Sequence, residues 1–164
     1  MSLSVWKENL RQPTPLGWWA VPRILVGYQF LRAASGKLNQ AFLSGQRLPG
    51  QFERIAADPI ALHRAFIEGI VLQHPLLFSY LVAFGELAIG IALVTGCLVR
   101  VASSFGAFHN LNIYLAVGIP LGGAQMNLNR LFVFLHLIFV ILSAGRPLGL
   151  DGLLHKKFPH CRLF

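Results

Sequence analysis

Charge is scarce in this sequence. Asp, Glu, Lys and Arg make up 12% of its 164 residues, against about 25% in an ordinary soluble domain. A water-soluble chain of this size could not cover its surface with so few charges, so much of the surface must face lipid. Acidic residues are the scarcest. Six of them against fourteen Lys and Arg leave a net charge of +8. Nucleic-acid binders carry such an excess on a wet, polar domain. Here the bases flank apolar segments, where attraction to anionic headgroups accounts for them, and no nucleic-acid partner is expected. Cysteine is nearly absent: Cys97 and Cys161 lie in different segments, and no CxxC or CxxxC occurs. A disulfide scaffold, a zinc site and a dithiol relay are therefore disfavoured, and no metal site is expected. Catalytic signatures are missing as well. Gly36-Lys37-Leu38 has no Gly five residues before Gly36 and no Ser or Thr after Lys37, so it is not a P-loop, and neither G-x-S-x-G nor H-E-x-x-H is present.

What is abundant is apolar: 55% of the chain, with thirteen Phe. Segments 18–42, 76–99, 101–121 and 128–144 approach the roughly 20 residues needed to cross a bilayer. The first is interrupted by Arg23, Arg32 and Lys37. The expected fold class is all-α, an integral membrane four-helix bundle forming a single domain over residues 1–164. In the 44–75 connection, Phe52, Ile55, Ala56, Ile60, Leu62, Phe66, Ile67 and Ile70 recur at mixed three- and four-residue steps. That spacing predicts short amphipathic interfacial helices in the outer loop between helices 1 and 2. A tight turn around Arg100 and a polar link at 122–127 join the later helices, and a polar, basic tail occupies 145–164. Small residues four apart, such as Ala102 and Gly106, allow close helix packing.

Lys and Arg placement sets the expected orientation. Lys7, Arg11, Arg23, Arg100, Arg146, Lys156, Lys157 and Arg162 fall on one side, against Lys37, Arg47, Arg54, Arg64 and Arg130 on the other. The expectation is a multi-pass protein of the cell inner membrane with cytoplasmic N- and C-termini, in contact with membrane lipids. A cleaved leader ending near Ala33-Ala34-Ser35-Gly36 is not expected, because Arg23 and Arg32 interrupt the apolar run and Pro13 and Pro15 precede it.

Ionisable groups inside hydrocarbon are costly and usually mark function. Arg32, Glu86, His109 and His136 contribute one such group per predicted helix. A rise of about 1.5 Å per residue puts them roughly 15, 19, 12 and 15 Å from the inner face, all in the middle third of the core. They are expected to meet, with Glu86 and Arg32 as catalytic groups, and Lys37, His109 and His136 holding a cofactor. An Arg32–Glu86 pair that only fixes helix register stays open, as does a purely structural role for each His. Asn110, Asn112, Asn39 and Tyr28 could extend the lining. His63 and His74 are expected to be solvated or to face headgroups.

Several segments resemble the DoxX/DoxD-type membrane proteins. Arg23 to Leu38 is similar to the family's opening, with an Arg, a Gly, an aromatic and Gly-Lys. Leu81 to Arg100 resembles its Glu-Leu segment with following glycines and a basic residue. Gly145-Arg146-Pro147 to Asp151 is similar to its terminal Gly-Arg…Leu-Asp. The motif positions are Arg23, Gly27, Gly36, Lys37, Glu86, Gly90, Gly96, Arg100, Arg146 and Asp151. The resemblance implies a membrane subunit of a quinone-linked redox complex, nearest to that of thiosulfate:quinone oxidoreductase, with a quinone as ligand and a second subunit as partner. Haem or pigment is not expected. The alternative is a non-catalytic accessory or scaffold subunit of a larger membrane complex.

Overall fold

The computed structural model describes residues 16–53, 55–161 and 163, and among them there are helices and turns but no strand. Lys7, Arg11, Pro13, Pro15, Arg54 and Arg162, used in the sequence reading, lie outside the described residues. In chain order the helices are α1 (Ala20–Lys37), α2 (Gln40–Leu43), α3 (Ala61–Phe66), α4 (Pro75–Thr95), α5 (Val99–Ile113), α6 (Ile119–Leu121), α7 (Gly123–Leu142) and α8 (Leu150–Lys157). Two of them, α4 with 21 residues and α7 with 20, are long and apolar enough to cross a membrane.

The first predicted helix is shorter than expected. It stops at Lys37 because Asn39 competes for the backbone. The Asn39 side chain donates to the Gly36 carbonyl (2.6 Å) and accepts from the Phe42 N–H (3.0 Å), capping α2 instead of continuing α1. Lys37 thereby becomes the last residue of α1, with its side chain free to reach sideways. The turn expected at Arg100 falls at residues 96–98. Gly96 ends α4 at φ +70°, a left-handed conformation that suits glycine. After α5 the helix continues without a break to Leu121 through a π turn at Tyr114–Gly118. Pro120 explains it: a proline cannot bond to the carbonyl one turn below and crowds it. The last long helix starts at Gly123, five residues before the predicted start, and Gln125 bonds Asn129 one turn on.

Helix α1 packs along α4, α5 along α7, and α4 meets α5. The α1–α4 contact is nearly backbone to backbone. A Cβ on Gly27 would lie 2.9 Å from Leu93 and Val94 atoms, and one on Gly90 would lie 2.8 Å from Leu31. One apolar cluster draws on all four long helices, with Val26, Phe30, Ile89, Leu93, Val99 and Phe139 buried. A second cluster (Phe42, Leu48, Ile55, Ile67, Val71, Ala83 and Ala116) ties the 44–74 connection to α4 and the π turn. Ile55 and Ile67 turn inward, while Ile60, Leu62 and Ile70 remain exposed.

The tail is not merely a polar extension. Residues 144–151 lock onto the near ends of three helices. Arg23, fully buried on α1, donates to the carbonyls of Ala144 (3.0 Å) and Leu148 (3.0 Å). Asp151, on the first turn of α8, accepts from the backbone N–H groups of Leu98 (2.6 Å) and Val99 (2.9 Å). Those are orphan donors at the start of α5, where a carboxylate is favoured. Arg23 and Asp151 thus have structural work that the family motif alone did not reveal.

Candidate functional site

Glu86 sits in the middle of α4 on its buried face, 4% exposed. A carboxylate buried this far needs partners on its oxygens, and it has them. Lys37 Nζ donates to Oε1 at 2.8 Å and Oε2 at 2.6 Å. His109 Nε2, from α5, donates to Oε1 at 3.0 Å. The three side chains come from three helices. Lys37 and His109 each keep about a fifth of their side-chain surface exposed. An ammonium carries three N–H bonds and Glu86 engages at most two, so Lys37 retains donor capacity.

This cluster forms one wall of a cavity of about 890 Å³. The other walls are mostly apolar, with Gln51, Glu53, Asn112 and Gln125 as their polar members. Phe78, Val82 and Ile89 come from α4, Phe105 and Ile113 from α5, and Val117 from the π turn. Phe52, Phe66 and Ile67 of the 44–74 connection cover it. Size, apolar lining and a few convergent polar groups are what a small-molecule site requires. The π turn contributes directly to the lining, in keeping with the tendency of π turns to occur at functional sites.

Depth did not predict direction for every group. The expected Arg32–Glu86 pair does not form, and Lys37 takes that place. Helix α1 buries Ala20, Arg23, Val26, Gly27, Phe30 and Ala34. At about 100° per residue, Arg32 falls diametrically opposite that face, and it is exposed. His136 lies behind Phe30. Its ring meets Phe30 edge-on at 5.2 Å, whereas His109 contacts Phe30 at 6.2 Å. His136 is fully buried against Gly106, is not part of the cavity lining, and neither ring nitrogen has a hydrogen-bond partner among the described residues. Asn112 does line the cavity. Asn110 instead bonds the Gly106 carbonyl (2.9 Å), Asn39 is a cap and Tyr28 is exposed.

A second polar group, missed from sequence, adjoins the cavity. His63 was expected to be solvated. Its Nδ1 instead bonds the carboxylate of buried Asp58, and its Nε2 lies 2.9 Å from Asn112 Oδ1. Asn112 Nδ2 donates to the Phe108 carbonyl (2.7 Å), which fixes the amide orientation. Both His63 nitrogens are therefore held, one by Asp58 and one by Asn112. The signal available was Asp58 and His63 five residues apart in a connection that holds three of the six acidic residues.

No curated protein and no solved structure gives a match to the chain. The family profile described as TQO small subunit DoxD matches residues 18–163, which covers every element of the fold and all of the site, and the chain belongs to that family.

Proposed function

We propose that this protein is the quinone-binding membrane subunit of a thiosulfate:quinone oxidoreductase. In this reading the helical segments 20–37, 75–95, 99–121 and 123–142 cross the inner membrane as a four-helix bundle. Both chain ends are cytoplasmic, and the 44–74 connection lies at the outer interface. The observation that carries the reading is the Lys37–Glu86–His109 cluster in the wall of an apolar cavity of about 890 Å³. The residues present fit a quinone: apolar and aromatic walls for the ring and tail, and N–H donors at one place for a ring oxygen.

The family's reaction joins two thiosulfates into tetrathionate and passes two electrons to a quinone, which takes up two protons to become the quinol. The chain's own residues serve that change in distinct ways. The Lys37 ammonium places positive charge where negative charge develops on the ring oxygen. Glu86 holds both Lys37 and His109 in position. His109 Nε2–H and the carboxyl of Glu86 are the groups through which a proton can be delivered. The aromatic walls exclude water from the head of the cavity. His63, held by Asp58 and joined through Asn112, is the next proton-bearing group toward the outer surface.

Glu86→Gln tests the reading. General acid–base groups contribute about 10²–10⁴-fold. The expected outcome is a loss of thiosulfate-dependent quinone reduction of at least ~100-fold, with the variant still folded and inserted. Full activity would remove Glu86 from the mechanism and favour the accessory or scaffold reading.

A further inference from the structure

The exposed faces of the long helices are not alike. On α7, Leu131, Phe134 and Ile141 point outward, as lipid contact requires. Helix α1 starts in the same way, with Val21 and Leu25 exposed. From Tyr28 onward its outward stripe changes to Tyr28, Arg32, Ser35 and Gly36, all exposed and one helical turn apart. Arg32 has no side-chain partner among the described residues; Ser35 Oγ donates to its backbone carbonyl at 2.8 Å. Twelve residues of rise put it roughly 18 Å from the start of α1, which leaves about 12 Å of a 30 Å core beyond it. A guanidinium at that depth, pointing directly into hydrocarbon, is strongly disfavoured unless something pairs with it.

Gly36 adds an independent observation. Gly27 and Gly90 have an internal reason to be glycine, since a Cβ on either would collide across the α1–α4 contact. A Cβ on Gly36 would meet nothing within 4 Å. Its smallness, next to Ser35, serves no packing inside the molecule, yet small residues beside a polar one are what a close helix–helix contact in a membrane uses.

We propose that the outward face of α1 from Tyr28 to Gly36 is the docking site for a membrane-spanning helix of a different polypeptide, one that carries a carboxylate to pair with Arg32. A second copy of this chain does not fit. Glu86 is the sole acidic residue of the spanning segments, and Lys37 and His109 already occupy it. Two copies joined through this face would bring Arg32 against Arg32 or against an apolar surface. The proposal rests on the membrane-spanning reading of α1 and is independent of the quinone.

The experiment places the photoreactive residue benzoylphenylalanine at Ser35, or at Phe134 as control, in the full chain made together with its native complex in membranes. The expected result is a crosslink from position 35 to an apolar segment of another polypeptide, with an Asp or Glu within one turn of the crosslinked residue. Arg32→Leu should lower that crosslink at least tenfold, and Arg32→Lys should retain part of it. The Tm of purified Arg32→Leu, unchanged or raised, separates loss of the partner from misfolding. A crosslink to a second copy, to lipid alone as at Phe134, or to a segment without an acid would overturn the proposal. So would a crosslink indifferent to Arg32→Leu. Release of the chain by alkaline carbonate would sink the membrane reading itself, whereas retention in the membrane without the heterologous crosslink sinks only the docking face.

Discussion

Arg23 and Glu86 are both charged, both buried and both on the α1–α4 pair, yet their surroundings are opposite in kind. Arg23 is bound by backbone carbonyls of residues 144–148 and does not line the cavity beside Glu86. Its hydrogen-bond acceptors are main-chain carbonyls that must stay in place for the fold to close, and the Asp151 carboxylate adds a favourable charge. Glu86 is bound by two side chains, of which Lys37 has donor capacity beyond what it uses, and they face a large, mostly apolar space. A buried charge satisfied by backbone acts as a latch. A buried charge satisfied by side chains at a cavity wall can exchange partners with a ligand. Burial alone does not distinguish the two; the identity of the partners does.

That contrast can be tested by separating stability from activity. Arg23→Met should have the largest effect on the fold, because it leaves the carbonyl of buried Ala144 unpaired and removes the tie to the Leu148 carbonyl. A stability loss of about 3–5 kcal/mol is expected, read as a shift in thermal or denaturant unfolding in detergent, with activity per folded molecule preserved. If that variant is as stable as the parent, the latch has been misread. The paired replacement Lys37→Met with Glu86→Met should behave in the opposite way. Substituting both members of a buried ion pair with apolar side chains is often close to neutral. Stability within about 1 kcal/mol of the parent and a loss of quinone reduction of at least ~100-fold are expected. A double variant that unfolds, or that keeps turning over quinone, would show that the Glu86 cluster is another latch.

Much of this could be read from the residues. Glu86 is the lone acid in a long apolar run, and a group that costs so much to bury had to have partners. His109 is named from sequence as a group at similar depth, whereas the pairing with Lys37 in place of Arg32 comes only from the structure. The facing of α1 was not legible. In a soluble helix the apolar stripe marks the core, but Val21, Ile24 and Leu25 point outward here while Val26 and Phe30 point inward. Lipid and core select the same side chains, so depth could be computed for Arg32 but its direction could not. The tail hid for another reason. Asp151 acts through two backbone N–H groups more than fifty residues away in sequence, and no local pattern announces such a cap. The 44–74 connection held Asp58 and His63 in plain view, but their tie to Asn112 exists only once the connection has folded over the cavity.

The most direct measurement is photolabelling of the purified protein in lipid nanodiscs with an azidoquinone, followed by mass-spectrometric mapping. The account predicts label on 78–89 and 105–117, competed by unlabelled quinone and reduced in Glu86→Gln. Label confined to the outward surface of α7 around Phe134 and Ile141, or label that unlabelled quinone does not displace, would contradict it.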